Sequence, residues 1–226
     1  MLKTFIVVGF LFSLKTVVDS GEFKKIEPHF NGDCQAIYGL EGPEDIIVIN
    51  DTKAIISADP RRTLSKEKAS LYSYENKDIN SAQGSLFLYD LVNNDLLNLT
   101  SDIDFEFHPH GISSYTDSND QLFISVVNHT SIGHYIDMFK FENNKLEHIS
   151  KLTDDLLLSP NDIVMISKNQ FYITNDHGSK RFFGKMIEDY LQLPKSNLVF
   201  YDGDKFKIVV DDLQYANGVN ISHDKS

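Results

Sequence analysis

The chain has 226 residues, 41% of them hydrophobic and 24% charged, a globular composition with apolar material for one large core or two small ones. A formal net charge of −12 weighs against nucleic acid and against anionic membrane surfaces, since both attract basic patches. An acidic surface is compatible with cation binding but does not by itself assign it.

At the N-terminus Lys3 precedes an apolar run from Phe5 to Leu14. That run is short for a bilayer span and suits the apolar stretch of a signal peptide. Residues 1–20 therefore read as a signal peptide cleaved near Ser20–Gly21, or as an uncleaved N-terminal anchor, with 21–226 as the folded domain. Either reading places the protein outside the cytosol: secreted, periplasmic, or membrane-associated through the uncleaved segment. Four sequons, at Asn50, Asn98, Asn128 and Asn220, would carry glycans only in a eukaryotic secretory pathway. Cys34 is the single cysteine, so in an exported chain it is either buried and reduced or missing its partner.

From residue 45 onward short β-type runs follow one another: DIIVIN (45–50), AIISA (54–58), SLFLYDL (85–91), QLFISVVNH (121–129) and DMFKFE (137–142). DIVMIS (162–167), QFYITND (170–176), NLVFYDG (197–203) and KFKIVVDD (205–212) continue the series. Turn clusters such as NNDL, DSND, ENNK and DGDK separate them, a pattern of an all-β sandwich, barrel or propeller. Four openings resemble each other: GPEDI (42–46), HPHGI (108–112), SPNDI (159–163) and YANGV (215–219). Their polar positions Glu44, His110, Asn161 and Asn217 recur at intervals of roughly 50–65 residues, the length of a four-stranded propeller blade. In a propeller such positions line the central channel, so four scattered residues would form one site.

One segment departs from the β pattern. Within 177–196, Phe182, Phe183, Met186, Ile187, Tyr190 and Leu191 recur at helical spacing and form a wide apolar stripe. The helix would either pack on a sheet edge or form a lid over a pocket.

The oxygen-rich set Glu44, Asp45, Asn161, Asp162 and Asn217 suits calcium, not zinc, which prefers nitrogen and sulfur. Alternation along a strand turns Glu44 and Asp45 to opposite sides, and likewise Asn161 and Asp162. Two ions are therefore expected, one at Glu44, Asn161 and Asn217, the other at Asp45 and Asp162. Each residue taken singly is better explained as a turn former or strand cap. His110, His129 and His177 offer imidazoles; one near a cation can serve as general base while a second orients it. No G-x-S-x-G elbow is present, so a covalent serine mechanism has little support.

The stretches GPEDI with AIISAD, FHPHGISSYTD, VVNH, SPNDIV, FYITNDHG and YANGVNIS together resemble the paraoxonase/arylesterase family, in family order from about residue 34 to the end. The resemblance implies a calcium-dependent six-bladed β-propeller that hydrolyses small-molecule lactones and aryl esters. It implies that Glu44, Asn161 and Asn217 hold a catalytic calcium, and that Asp45, Asp162 and the carbonyl of Ile112 hold a structural one. His110 and His129 match the histidine dyad that activates water. His177 matches a histidine near the second calcium and the lid helix, whose Phe182, Phe183, Met186 and Ile187 would face the substrate pocket. Lipid contact through that helix and the N-terminal segment is a further implication; the oligomeric state is not legible.

The family's catalytic calcium also takes an Asp-Asn pair beyond residue 226, and Cys34 matches a cysteine whose disulfide partner lies there too. The expectation is a truncated chain of roughly the first four blades, ending in a turn at HDKS and inactive alone. The competing expectation is a calcium-stabilised propeller that binds a ligand or partner without catalysis.

Overall fold

The computed structural model describes residues 2–27, 29–60 and 83–222, with side chains from residue 7 onward; the expected HDKS turn lies outside the described residues. The chain divides into two compact units, residues 1–38 and 39–226. The first carries helix α1 (Leu2–Asp19), then irregular chain in which Cys34 is exposed and free. Among the described residues no helix is long and apolar enough to cross a membrane.

Among its described residues the second unit is all-β apart from one helix. Its first sheet comprises β1 (Pro43–Asn50), β2 (Lys53–Ala58), β3 (Ser85–Asp90) and β4 (Leu96–Asn98). The second comprises β5 (Pro109–Thr116), β6 (Leu122–Thr130), β7 (Gly133–Glu142) and β8 (Lys145–Leu152). The third comprises β9 (Pro160–Ser167), β10 (Gln170–Asn175), β11 (Ser196–Tyr201) and β12 (Phe206–Leu213). Strands adjacent in sequence pair antiparallel throughout, so each sheet is a simple meander. Tight turns make this possible. Asn143 and Asn144 both take positive φ, 52° and 58°, which is the chemistry of a two-residue hairpin turn.

Apolar side chains cement the sheets face to face. Ile55, Leu86, Phe107, Ile112, Ile124 and Phe139 form one cluster between the first and second sheets. Phe123, Val127, Ile136, Ile163, Phe171 and Ile173 form the other, between the second and third. Burial of whole Phe, Ile and Val side chains contributes roughly 1.5–3 kcal/mol each.

The leading strands β1, β5 and β9 lie side by side, as inner strands of adjoining propeller blades do. Each begins with a proline, tolerated there because the first residue of a strand need not donate to the ladder. The cross-strand partners repeat: Pro43 faces Ala58, Pro109 faces Asn128 and Pro160 faces Asn175. Asn128 and Asn175 are fully buried and accept hydrogen bonds from the backbone N–H of His108 and Ser159, pinning the chain just before each leading strand. Serines tie neighbouring sheets together. Ser57 donates to the His110 carbonyl at 2.6 Å, and Ser113 accepts from the Met165 N–H at 2.9 Å.

The ladder holds twelve strands among the described residues, where the sequence pattern suggests nine. The extra ones are β4, β5 and β8, and β7 begins at Gly133, four residues earlier than its apolar run. The three sheets end at residue 213, and the YANGV opening has no strand of its own. Its backbone is tied to the third sheet by side chains instead. Ala216 N–H donates to Ser196 Oγ, Val219 N–H to Asp162 Oδ2, and Thr174 Oγ1 to the Asn217 carbonyl.

Candidate functional site

The entry points of β1, β5 and β9 converge, and the reason is partly a glycine. A Cβ on Gly111 would lie 2.5 Å from the Asn161 carbonyl oxygen and 2.6 Å from Asp162 Cα, so no larger residue fits between these two strands. Asp45 Oδ2 reaches across from β1 to accept the Ile112 N–H at 2.8 Å. Asp162 does the same toward the 214–222 segment, accepting the Val219 N–H at 2.7 Å. Burial pushes the Asp162 carboxyl up from its ordinary value, and the Asp45 charge pushes the same way against two backbone hydrogen bonds. The two carboxylates are thus near enough to repel.

Glu44 and Asp45 turn apart, as strand alternation requires. Glu44 Oε2 lies 3.3 Å from His110 Nε2, whereas Asp45 faces Ile112. Asn161 and Asp162 also divide: Asn161 Nδ2 donates to Asp176 Oδ2 at 3.4 Å, whereas Asp162 faces Val219.

Three imidazoles continue from Glu44 in a row. His110 Nδ1 is 3.0 Å from His129 Nε2, and His129 Nδ1 is 2.8 Å from His134 Nδ1. His129 is almost fully buried. His134 is placed by register: it sits directly opposite His129 across the β6–β7 hairpin, whose turn is Ser131–Ile132. Burial pulls the His134 imidazole down to about 4, with Lys185 and Lys180 adding to the effect and Asp176 opposing it. The sequence pattern at 129–134 contained a signal for this pairing, two histidines flanking a short turn, that strand periodicity alone does not expose.

On the third sheet Asp176 follows β10 and binds His177 Nδ1 at 2.7 Å, while His177 Nε2 meets Asp189 at 2.8 Å. Asp189 belongs to helix α2 (Phe182–Leu191). Burial works against the charged His177, but hydrogen bonds and charge from Asp176 and then Asp189 outweigh it, and the imidazole rises above its ordinary value. Asp176 ends below its ordinary value because His177, Ser159 and Lys185 offset its burial. His177 thus ties the segment after β10 to α2 through Asp176 and Asp189.

The helix forms where its spacing predicts, yet none of its residues is fully buried. Phe182 and Phe183 are exposed, and Met186 and Ile187 are half-buried. A cleft of about 450 Å³ opens beside it, lined by His134, Thr153, Leu157, Lys180, Phe182 and Lys185. Phe183, Met186 and Ile187 do not line it.

Among the described residues no group of three or more His, Cys, Asp or Glu side chains is placed to hold a metal ion. The expected ligand sets do not depend on such a group, being mixed carboxylate, carboxamide and carbonyl oxygen. Their donor chemistry fits calcium, and the mutual repulsion of Asp45 and Asp162 is a feature a cation would relieve. Asn217 is exposed on the loop that its own carbonyl anchors. Ile112 offers its N–H to Asp45, and its carbonyl is the group expected for an ion. At Asn128 the amide is enclosed, donating to the Glu106 carbonyl and to Asp137, so this sequon cannot carry a glycan in the fold.

A solved structure described as a gluconolactonase from Xanthomonas campestris superposes with a TM-score of 0.51 at 14% identity, covering 82% of this chain and 52% of its own; that likeness concerns the fold. Serum paraoxonase/arylesterase 2 of Canis lupus familiaris is 43% identical over 121 residues, covering 53% of this chain and 34% of the relative. The protein of the same name from Gallus gallus is 34% identical over 210 residues, covering 89% and 56%. The chain thus spans between a third and a little over half the length of these curated relatives. The arylesterase family model matches residues 69–226, most of the chain, and the protein belongs to the paraoxonase/arylesterase family.

Proposed function

We propose that this chain carries the nucleophile-activating part of a calcium-dependent hydrolase of lactones and aryl esters. The observation that carries the reading is the run of contacts from Glu44 through His110 to His129, at the point where three leading strands meet. Family membership supports it, and relatives are named arylesterase, paraoxonase and lactonase. Glu44, Asn161 and Asn217 would hold the catalytic calcium, and Asp45, Asp162 and the Ile112 carbonyl the structural one. The bound ion supplies charge stabilisation for an oxygen that becomes negative.

The chain's own side chains supply the proton chemistry. His110 takes a proton from the attacking water, and His129, held from behind by β6–β7 pairing, orients the His110 ring and fixes its tautomer.

His110→Gln tests the reading. Lactone and phenyl-ester turnover should fall about 100-fold, while terbium luminescence or calorimetry reports unchanged cation binding. In a protein extended to the full length of its relatives, unchanged turnover would remove His110 from the reaction, and absence of any hydrolysis with calcium bound would favour a ligand-binding propeller.

A further inference from the structure

The contacts do not stop at the pair. His129 uses its Nε2 for His110 and its Nδ1 for His134, and the second contact, at 2.8 Å, is the shorter of the two. With Nδ1 so engaged, Nε2 is the His134 nitrogen left for the cleft that this residue lines beside Thr153, Lys180 and Lys185. The path runs from the meeting point of the leading strands, past a ring almost wholly enclosed, to an open cavity. Resting on the function proposed above, we infer that His134 is the outlet of a three-imidazole proton relay, passing protons between the His110–His129 pair and water in the cleft.

The proton count closes. When water oxygen bonds to the carbonyl carbon, its proton goes to His110 Nε2. His110 Nδ1 releases a proton to His129 Nε2, His129 Nδ1 releases one to His134 Nδ1, and His134 Nε2 releases one to cleft water. Collapse of the tetrahedral adduct breaks the bond to the leaving oxygen, which takes the proton on His110 Nε2. The three rings then refill in the reverse order from the cleft and recover their starting tautomers. No oxidant, reductant or further reactant is needed.

The surroundings of His134 suit transfer over storage. Burial disfavours its cationic form, as do Lys185 and Lys180 on the neighbouring α2 side, against Asp176 alone on the third sheet. A ring that resists a positive charge hands a proton on. The geometry is also rigid, because His129 and His134 are a directly opposed cross-strand pair with ring planes at 90° and centroids 4.8 Å apart. Cross-strand neighbours at such a pair stay in contact without any loop having to be ordered.

His134 acts through His129, so it is a positioning and relay residue and does not touch substrate. The test is made in a protein extended to the full length of its relatives and compares His134→Asn and His134→Phe with the unsubstituted calcium-loaded form in dilute and in concentrated buffer. Both variants should lose about tenfold in kcat at low buffer with KM unchanged, and imidazole added at millimolar concentration should restore the rate by entering the cleft. Nitrogen-15 shifts of the His129 ring should change in both. Loss of kcat without imidazole or buffer rescue would make His134 merely structural, and unchanged kcat at low buffer would overturn the relay. If His110→Gln is inactive while His134→Asn is not, the relay fails and the hydrolytic reading stands; if neither substitution matters, the hydrolytic reading itself has failed.

Discussion

Asp162 shows how a single carboxylate can be read for both chemistry and stability. Its folded-state value is raised, first by burial and also by the Asp45 charge. A carboxyl that holds its proton to higher pH when folded contributes stability below its unfolded value of 3.8, and that contribution is lost as pH rises through the folded value. The crowding of Asp162 by Asp45 is what a bound calcium would relieve. Calcium at about 100 times its Kd should stabilise the fold by about 2.7 kcal/mol at pH 7. The gain should shrink as pH falls toward 4, because protons compete for the ligands; thermal melts with and without calcium at several pH values check this. A larger gain at pH 4 than at pH 7 would exclude Asp162 from the cation's surroundings. The residue types at this site were legible in the sequence, since Glu-Asp and Asn-Asp steps must split between two sides of a strand. His134 was not, because its pairing with His129 across the turn at Ser131–Ile132 leaves no mark in the apolar period of the strands.

At the scale of elements, α2 and the leading strands are held by opposite means. The helix buries no residue completely and is attached by polar ties: His177 to Asp189, Gly178 N–H to Glu188, and Lys185 Nζ to Ser159. The raised His177 contributes stability that is full below 6.5 and is lost as pH rises through its folded value. Hydrogen exchange across 182–191, corrected for the intrinsic rate, should therefore show protection falling above neutral pH. His177→Gln should abolish that dependence and lower protection at pH 6; protection that rises with pH would mean that the neutral ring makes the tie. The leading strands instead depend on close approach. Gly111→Ala should destabilise by about 1–3 kcal/mol, because the backbone of β9 would have to move away from the added carbon. Urea unfolding reads this as a lower midpoint at unchanged slope; an unchanged midpoint would mean that β5 and β9 are not so tightly apposed. Helix spacing announced α2 in the sequence, but not its polar attachment, which joins residues distant in the chain.

Across the whole molecule, all-β architecture and a repeating opening were legible because β-branched and aromatic runs alternate with turn residues. The strands that escaped notice are the outer ones and those without apolar runs. β8, KLEHISKL, has an exposed or half-buried side chain at every position, as an edge strand does, so no hydrophobic pattern betrays it. β4 spans three residues. β5 reads PHGISSYT, where serines and a glycine do the joining that valine or isoleucine does elsewhere.

The recurring register has an engineering consequence. Opposite the three leading prolines stand Ala58, Asn128 and Asn175, and the next residues are Asp59, His129 and Asp176. The first position of each couple serves the framework, and the second differs in chemistry: an acid, a base, an acid. Each second residue is nonetheless wedded to a histidine, Asp59 to His108, His129 to His110 and Asp176 to His177. Redesign at residues 59, 129 and 176 would therefore have to exchange each residue together with its imidazole partner.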